Sequence, residues 1–223
     1  MPSDAYINFL HIREDVIKLI DTHTDYSKKT RGRKNLGHLT RSAVIMLCAA
    51  WERYNEDLLL ETIKYLTKVI SDVNDLNLEI KKVISSRVKN DKHELKPIQL
   101  AGDGWKNVWY AYAQLETEVL NTPKSNNLKL LFGNFLGIPD YTKLWKTRVP
   151  REIDDFVSDR GEIAHNGNKA KYITMGKLKR YQELIIQNVI EIDSKMADEI
   201  KVMTGQADLP WKKLYFRNLK NYR

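Results

Sequence analysis

One stretch in the C-terminal third, Ser158-Asp159-Arg160-Gly161-Glu162-Ile163-Ala164-His165-Asn166-Gly167, gathers a fixed cation, a titratable imidazole and an Asn-Gly turn signal. Arginine is charged at any working pH and its planar fork matches phosphate oxygens. Histidine, with an ordinary pKa near ~6.5, takes or gives a proton close to neutrality. Together the two suit phosphodiester chemistry. Residues five apart on an ideal helix lie about 140° apart around its axis, so Arg160 and His165 do not share one face of a straight helix. Two arrangements would bring them together: a helix that ends or distorts near Gly161, where glycine costs about 1 kcal/mol relative to alanine, or a site drawn from two chains. A plainer reading competes, in which an Arg and a His beside a helix C-terminus only satisfy the last carbonyls and the dipole.

The elements that would position this stretch are helical. Ser3-Asp4 can cap a first helix to about Thr24, with Tyr6, Leu10, Ile17 and Ile20 on one stripe and Phe9, Ile12, Val16 and Leu19 beside it. Lys28, Lys29, Arg31, Arg33 and Lys34 then fall in a segment without an apolar partner before Leu36, read as an exposed basic loop and a candidate phosphate contact. A longer helix from near Leu39 to about Ser71 follows, with small and apolar residues recurring every three or four positions and no Gly or Pro. Its middle, Trp51-Glu52-Arg53-Tyr54-Asn55-Glu56-Asp57, offers a Glu or Arg, Glu52 first, that either faces solvent or points across the bundle to orient Arg160 or His165.

A short helix is expected within Asp75 to Asp91, a connection from Lys92 to Gly104, and a helix from Trp105 to about Asn121 whose aromatic residues fit core spacing better than base stacking. Another short apolar helix ends before Pro139, with Gly133 and Gly137 weakening its pattern. Pro150 can open the helix that delivers Arg160, with Glu152, Asp154 and Asp155 suited to its N-terminus. After the Asn166-Gly167 turn, Lys169 and Lys171 lead into a last long helix from about Thr174 to Met203. The tail from Pro210 interleaves basic and aromatic residues, and Trp211 and Phe216 are expected to pack back on the bundle. No alternating strand pattern of useful length occurs. The fold class is therefore all-α, an up-down helical bundle with a helical insertion between the second and third principal helices. The expected organisation is a single domain over 1–205, an insertion over about 75–148 and a basic aromatic tail over 206–223.

Composition limits the function classes. With a formal net charge of +8 and a pI near 9.3, the chain favours polyanionic partners, nucleic acid first and an acidic membrane surface second. The single cysteine, Cys48, sits in an apolar run, which leaves no disulfide framework or cysteine-based metal site. His11, His23, His38 and His93 are scattered and form no helical His-x3-His pair, so neither a metal nor another cofactor is expected. Apolar runs fall well short of the ~18 residues of a membrane span, and the N-terminus lacks a charged-then-apolar leader pattern, so a soluble cytoplasmic protein with no membrane partner is expected. No Gly-rich loop follows a strand, which argues against an NTP hydrolase.

The Arg160-x4-His165 segment, Ile163-Ala164-His165-Asn166-Gly167 around it and the long amphipathic helix after it resemble the signature region of HEPN domains. The helix running from Ser42-Ala43-Val44-Ile45-Met46-Leu47 through Trp51-Glu52-Arg53 is similar to the second helix of that superfamily, in particular of its RiboL-PSP-type branch. The resemblance implies a four-helix core, a homodimer with two motifs face to face and metal-independent endoribonuclease activity on RNA. Toxin–antitoxin or phage-defence roles go with it, with a cognate antitoxin or other regulatory protein as partner. By that carry-over Arg160 and His165 are the catalytic pair, with Glu52, Asp159 and Asn166 as supporting polar neighbours. Gly161 departs from the many members that carry a polar residue directly after the arginine. Two other classes stay open: a non-catalytic HEPN-like module that binds RNA or a protein partner, and a structural helical adaptor.

Overall fold

The computed structural model describes residues 1–28, 35–147, 150–170 and 172–214 of the chain, with nothing stated for the side chain of Asn168. Among these residues seven α-helices and several short 3-10 turns occur and no strand. The principal helices are α1 (Asp4–Lys28), α2 (Gly37–Val69), α6 (Arg151–Asn166) and α7 (Met175–Thr204). Between the second and third of them lie α3 (Leu78–Asn90), α4 (Gly104–Glu118) and α5 (Ser125–Leu136). This is the expected all-α bundle with its helical insertion.

The centre of the molecule is α2, which packs against α1, α4, α5, α6 and α7. A helix can touch so many neighbours only if buried residues recur along its whole length, and α2 buries Leu47, Trp51, Tyr54, Leu58, Leu59 and Ile63 completely. The buried polar groups of Trp51, Tyr54 and Asn55 find partners, whereas the buried Thr62 hydroxyl has none among the described residues. The Tyr54 hydroxyl donates to the Val189 carbonyl of α7 at 3.1 Å, and the Trp51 indole N–H donates to the Pro123 carbonyl of the insertion at 3.0 Å. The Tyr141 hydroxyl donates to Asn55 Oδ1 at 2.7 Å, while Asn55 Nδ2 donates to the Trp51 carbonyl. Each bond removes the penalty of leaving a donor dry in the core, about 1–3 kcal/mol.

Several helix ends differ from the sequence reading for identifiable reasons. α1 runs one turn beyond Thr24, because the Thr24 and Ser27 hydroxyls donate to the carbonyls of Ile20 and His23 and hold a polar last turn together. α5 starts at Ser125, where the Asp154 carboxylate of α6 accepts from both the Ser125 amide and its hydroxyl at 2.7 Å. Gly137 ends α5 in the left-handed region at φ 66°, and a Cβ there would lie 2.5 Å from Asn77, the residue that caps α3. The helices of the insertion are tied through Trp109, buried as its spacing predicts, whose indole donates to the Phe135 carbonyl at 3.0 Å.

The two ends of the described chain meet on α7. Ser3 Oγ accepts from the Tyr6 amide at 3.0 Å and donates to the buried Asp193 carboxylate. Trp211 is buried and donates from its indole to the Asp193 carbonyl at 3.0 Å, while the Lys212 amide donates to the Met1 carbonyl at 2.9 Å. Trp211 thus packs back on the bundle, whereas Phe216 lies outside the described residues.

Candidate active site on the sixth helix

Helix α6 is unbroken from Arg151 to Asn166 and passes straight through Gly161. Of the two arrangements open to the sequence, a helix that ends or distorts near Gly161 is therefore not the one adopted. Arg160 and His165 diverge by about 140° around the helix axis. Arg160 is half-buried and His165 is exposed. The helix ends one residue after His165, at Gly167 with φ 50°, where a left-handed turn lets the chain leave the bundle axis.

Arg160 is turned toward the central helix, where its charge acts on Glu52 and Cys48. Burial pushes the Cys48 thiol up to about 12, and the guanidinium opposes that shift only in part. Burial likewise raises Glu52 above the ordinary carboxylate range, again against the pull of Arg160. No hydrogen bond or ion pair to Arg160 itself occurs among the described residues, so its donor fork is open to a ligand oxygen. One turn along α2, Glu56 is pushed up to about 7, first by burial and then by repulsion from Glu52, while Arg53 at 3.5 Å opposes the rise. Glu56 falls in the run read from the sequence as a source of an orienting Glu or Arg, but only Glu52 of that run was named as a supporting residue.

The remaining supporting positions are bonded in distinct ways. Asp159 accepts from the Tyr181 hydroxyl at 2.5 Å and pairs with Lys177 at 2.6 Å, so it ties α6 to α7. Asn166 is exposed and donates to Glu162 Oε2 at 2.7 Å across one helical turn. Lys28 is exposed at the end of α1, and Lys169 is exposed in the 3-10 turn Gly167–Lys169 just beyond His165. Lys29, Arg31, Arg33, Lys34 and Lys171 lie outside the described residues. Among the described residues no group of His, Cys, Asp and Glu is arranged to hold a metal ion, and no helix is long and apolar enough to cross a membrane.

The arrangement offers a guanidinium whose charge acts on the half-buried Glu52 and an accessible imidazole at the helix end. A phosphate oxygen could take the place of solvent on the first, and a hydroxyl could exchange a proton with the second. Comparison with curated proteins and with solved structures gives no match. The family model described as RiboL-PSP-HEPN matches residues 7–198, a span that runs from the first turn of α1 to the last turns of α7 and holds α2, α6 and the insertion between them. That match points to an RNase-type or otherwise RNA-related function. The chain belongs to the RiboL-PSP-HEPN family.

Proposed function

We propose that the protein is a metal-independent endoribonuclease that cleaves RNA by attack of the 2'-hydroxyl on the adjacent phosphorus. RNA carries its own nucleophile, so the protein must supply a proton carrier, a cation for the phosphate oxygens and a fixed geometry. His165 takes the proton of the attacking hydroxyl. The bond from phosphorus to the 5'-oxygen breaks, a 2',3'-cyclic phosphate forms, and the imidazolium returns a proton to the leaving oxygen. Arg160 binds the phosphate and stabilises the charge that builds on it.

The observation that carries this reading is the unbroken α6, which bears an open, half-buried Arg160 and an exposed His165 on diverging faces in a chain of this family. The divergence favours a homodimer in which Arg160 of one copy and His165 of the other approach the same phosphate. By the family resemblance, such an enzyme acts in the cytoplasm as a toxin or phage-defence effector restrained by an antitoxin or another regulatory protein.

The test is cleavage of mixed single-stranded RNA by purified protein in EDTA, with the product ends analysed. Wild type is expected to yield 2',3'-cyclic phosphate ends, and Arg160→Ala and His165→Ala are each expected to lose about 10²-fold or more of the activity at unchanged helical content. Salt-sensitive binding of RNA that stays intact would instead establish a non-catalytic binding module.

A further inference from the structure

The connection between α6 and α7 carries an aromatic ring that the catalytic reading does not use. Tyr172 is 49% exposed, yet Ile173 directly after it and Ala170 two positions before it are both buried, at 4% and 1% exposure. The Ile173 amide donates to the Ala170 carbonyl at 3.3 Å, and the Ala170 amide to the Gly167 carbonyl at the same distance. Tyr172 is therefore followed directly by a residue fixed in the core, with another two positions before it. A single exposed tyrosine is ordinary on a protein surface. What sets this one apart is what stands behind it and where it stands.

Lys177, in the first turn of α7, holds its ammonium 4.9 Å from the centre of the Tyr172 ring. That ammonium is itself fixed, 2.6 Å from the Asp159 carboxylate, which also accepts from the Tyr181 hydroxyl at 2.5 Å. A cation held over an aromatic face attracts the ring's negative quadrupole and restrains the ring. The platform is thus oriented before any ligand arrives, and the carboxylates of Asp159 and Glu162 act electrostatically on the Tyr172 hydroxyl. Glu162 is the residue that accepts from Asn166, one helical turn away and directly after His165. The ring stands beside the end of α6 that carries the motif.

An exposed, pre-oriented aromatic face is the chemistry by which unpaired bases are held: the ring stacks on the base, and bases already stacked in a duplex are excluded. We propose that Tyr172, backed by Lys177, is a stacking platform for a base of single-stranded RNA next to the Arg160–His165 motif. The inference rests on the RNA reading of that motif but does not require that the RNA be cut.

The experiment uses the full-length His165→Ala protein, so that RNA stays intact, and measures fluorescence anisotropy with a labelled single-stranded oligoribonucleotide and with the same strand bearing abasic riboses. The base-bearing strand is expected to bind more tightly. Adding Tyr172→Ala is expected to weaken it by about 5- to 100-fold and to erase its advantage over the abasic strand, while Tyr172→Phe restores that advantage. Circular dichroism confirms the fold of each variant. Equal losses on both strands, no loss at all, or no binding of either strand would overturn the proposal. So would a Tyr172→Ala effect confined to self-association in sedimentation, which would make the ring a protein contact. Cleavage by wild type with no Tyr172 effect would sink the platform and leave the nuclease standing. Base-dependent binding lost in Tyr172→Ala, in a protein that never cuts, would do the reverse.

Discussion

Glu56 shows how a carboxylate can be out of its element without being misplaced. It lies one turn from Glu52 on α2, with Arg53 and Asp57 as its other charged neighbours, and burial outweighs the help from Arg53, so its pKa rises to about 7. A carboxyl whose folded pKa is raised above its unfolded value near ~4.3 favours the folded state below that value, and the advantage is lost as pH climbs through the folded pKa. Glu56→Gln removes the titration while keeping the shape. Thermal unfolding of the variant and wild type should therefore converge near pH 4–5 and separate above pH 7, with the variant the more stable by on the order of 1–3 kcal/mol. Equal pH profiles for the two proteins would show that the carboxyl is ordinarily solvated. The residue types at the site were legible: Arg160 and His165 are visible as a spaced cation and imidazole, and Glu52 as a polar group on an apolar helix. The raised pKa of Glu56 and the held posture of Tyr172 were not, since one comes from burial and the other from a lysine five residues on that is held by a third side chain.

The seven helices follow from spacing, because buried side chains must recur every three or four residues whatever they pack against. Their ends depend on contacts that spacing does not contain. α5 begins where Asp154 caps it from another helix, twenty-nine positions away in the chain. The glycines make the same point in opposite directions. Gly137 closes a helix at φ 66° against Asn77, whereas Gly161 sits inside α6 with open space where a Cβ would be. In sequence both look like breaks in an amphipathic pattern. Gly161→Ala should raise stability by about 1 kcal/mol, a Tm gain of roughly 2–4 °C for a chain of this size. Gly137→Ala should lower stability by about 1–2 kcal/mol or more, because the left-handed backbone and the Asn77 clash add. Calorimetry on the two variants checks both signs, and a loss at position 161 would mean that α6 is not continuous there.

For the molecule as a whole, the order of principal helices and the position of the insertion could be read from the chain, while the relation between Arg160 and His165 could not. Spacing left two geometries, and only the course of α6 through Gly161 separates them. A continuous helix turns the two side chains away from each other, and in the proposed homodimer a twofold pair of such helices would offer the guanidinium of one copy to the imidazole of the next. This arrangement makes a prediction that no single-chain site shares. When Arg160→Ala and His165→Ala chains carrying different tags are co-expressed and the heterodimer is purified, one of its two composite sites contains an intact Arg160 and an intact His165, while the other contains neither. The heterodimer should cleave RNA at about half the wild-type rate per dimer, although both parent homodimers are inactive. If it stays as inactive as its parents while each chain keeps its helical content, the pair does not act across the dimer, and one chain must bring both groups to the phosphate by a movement of α6.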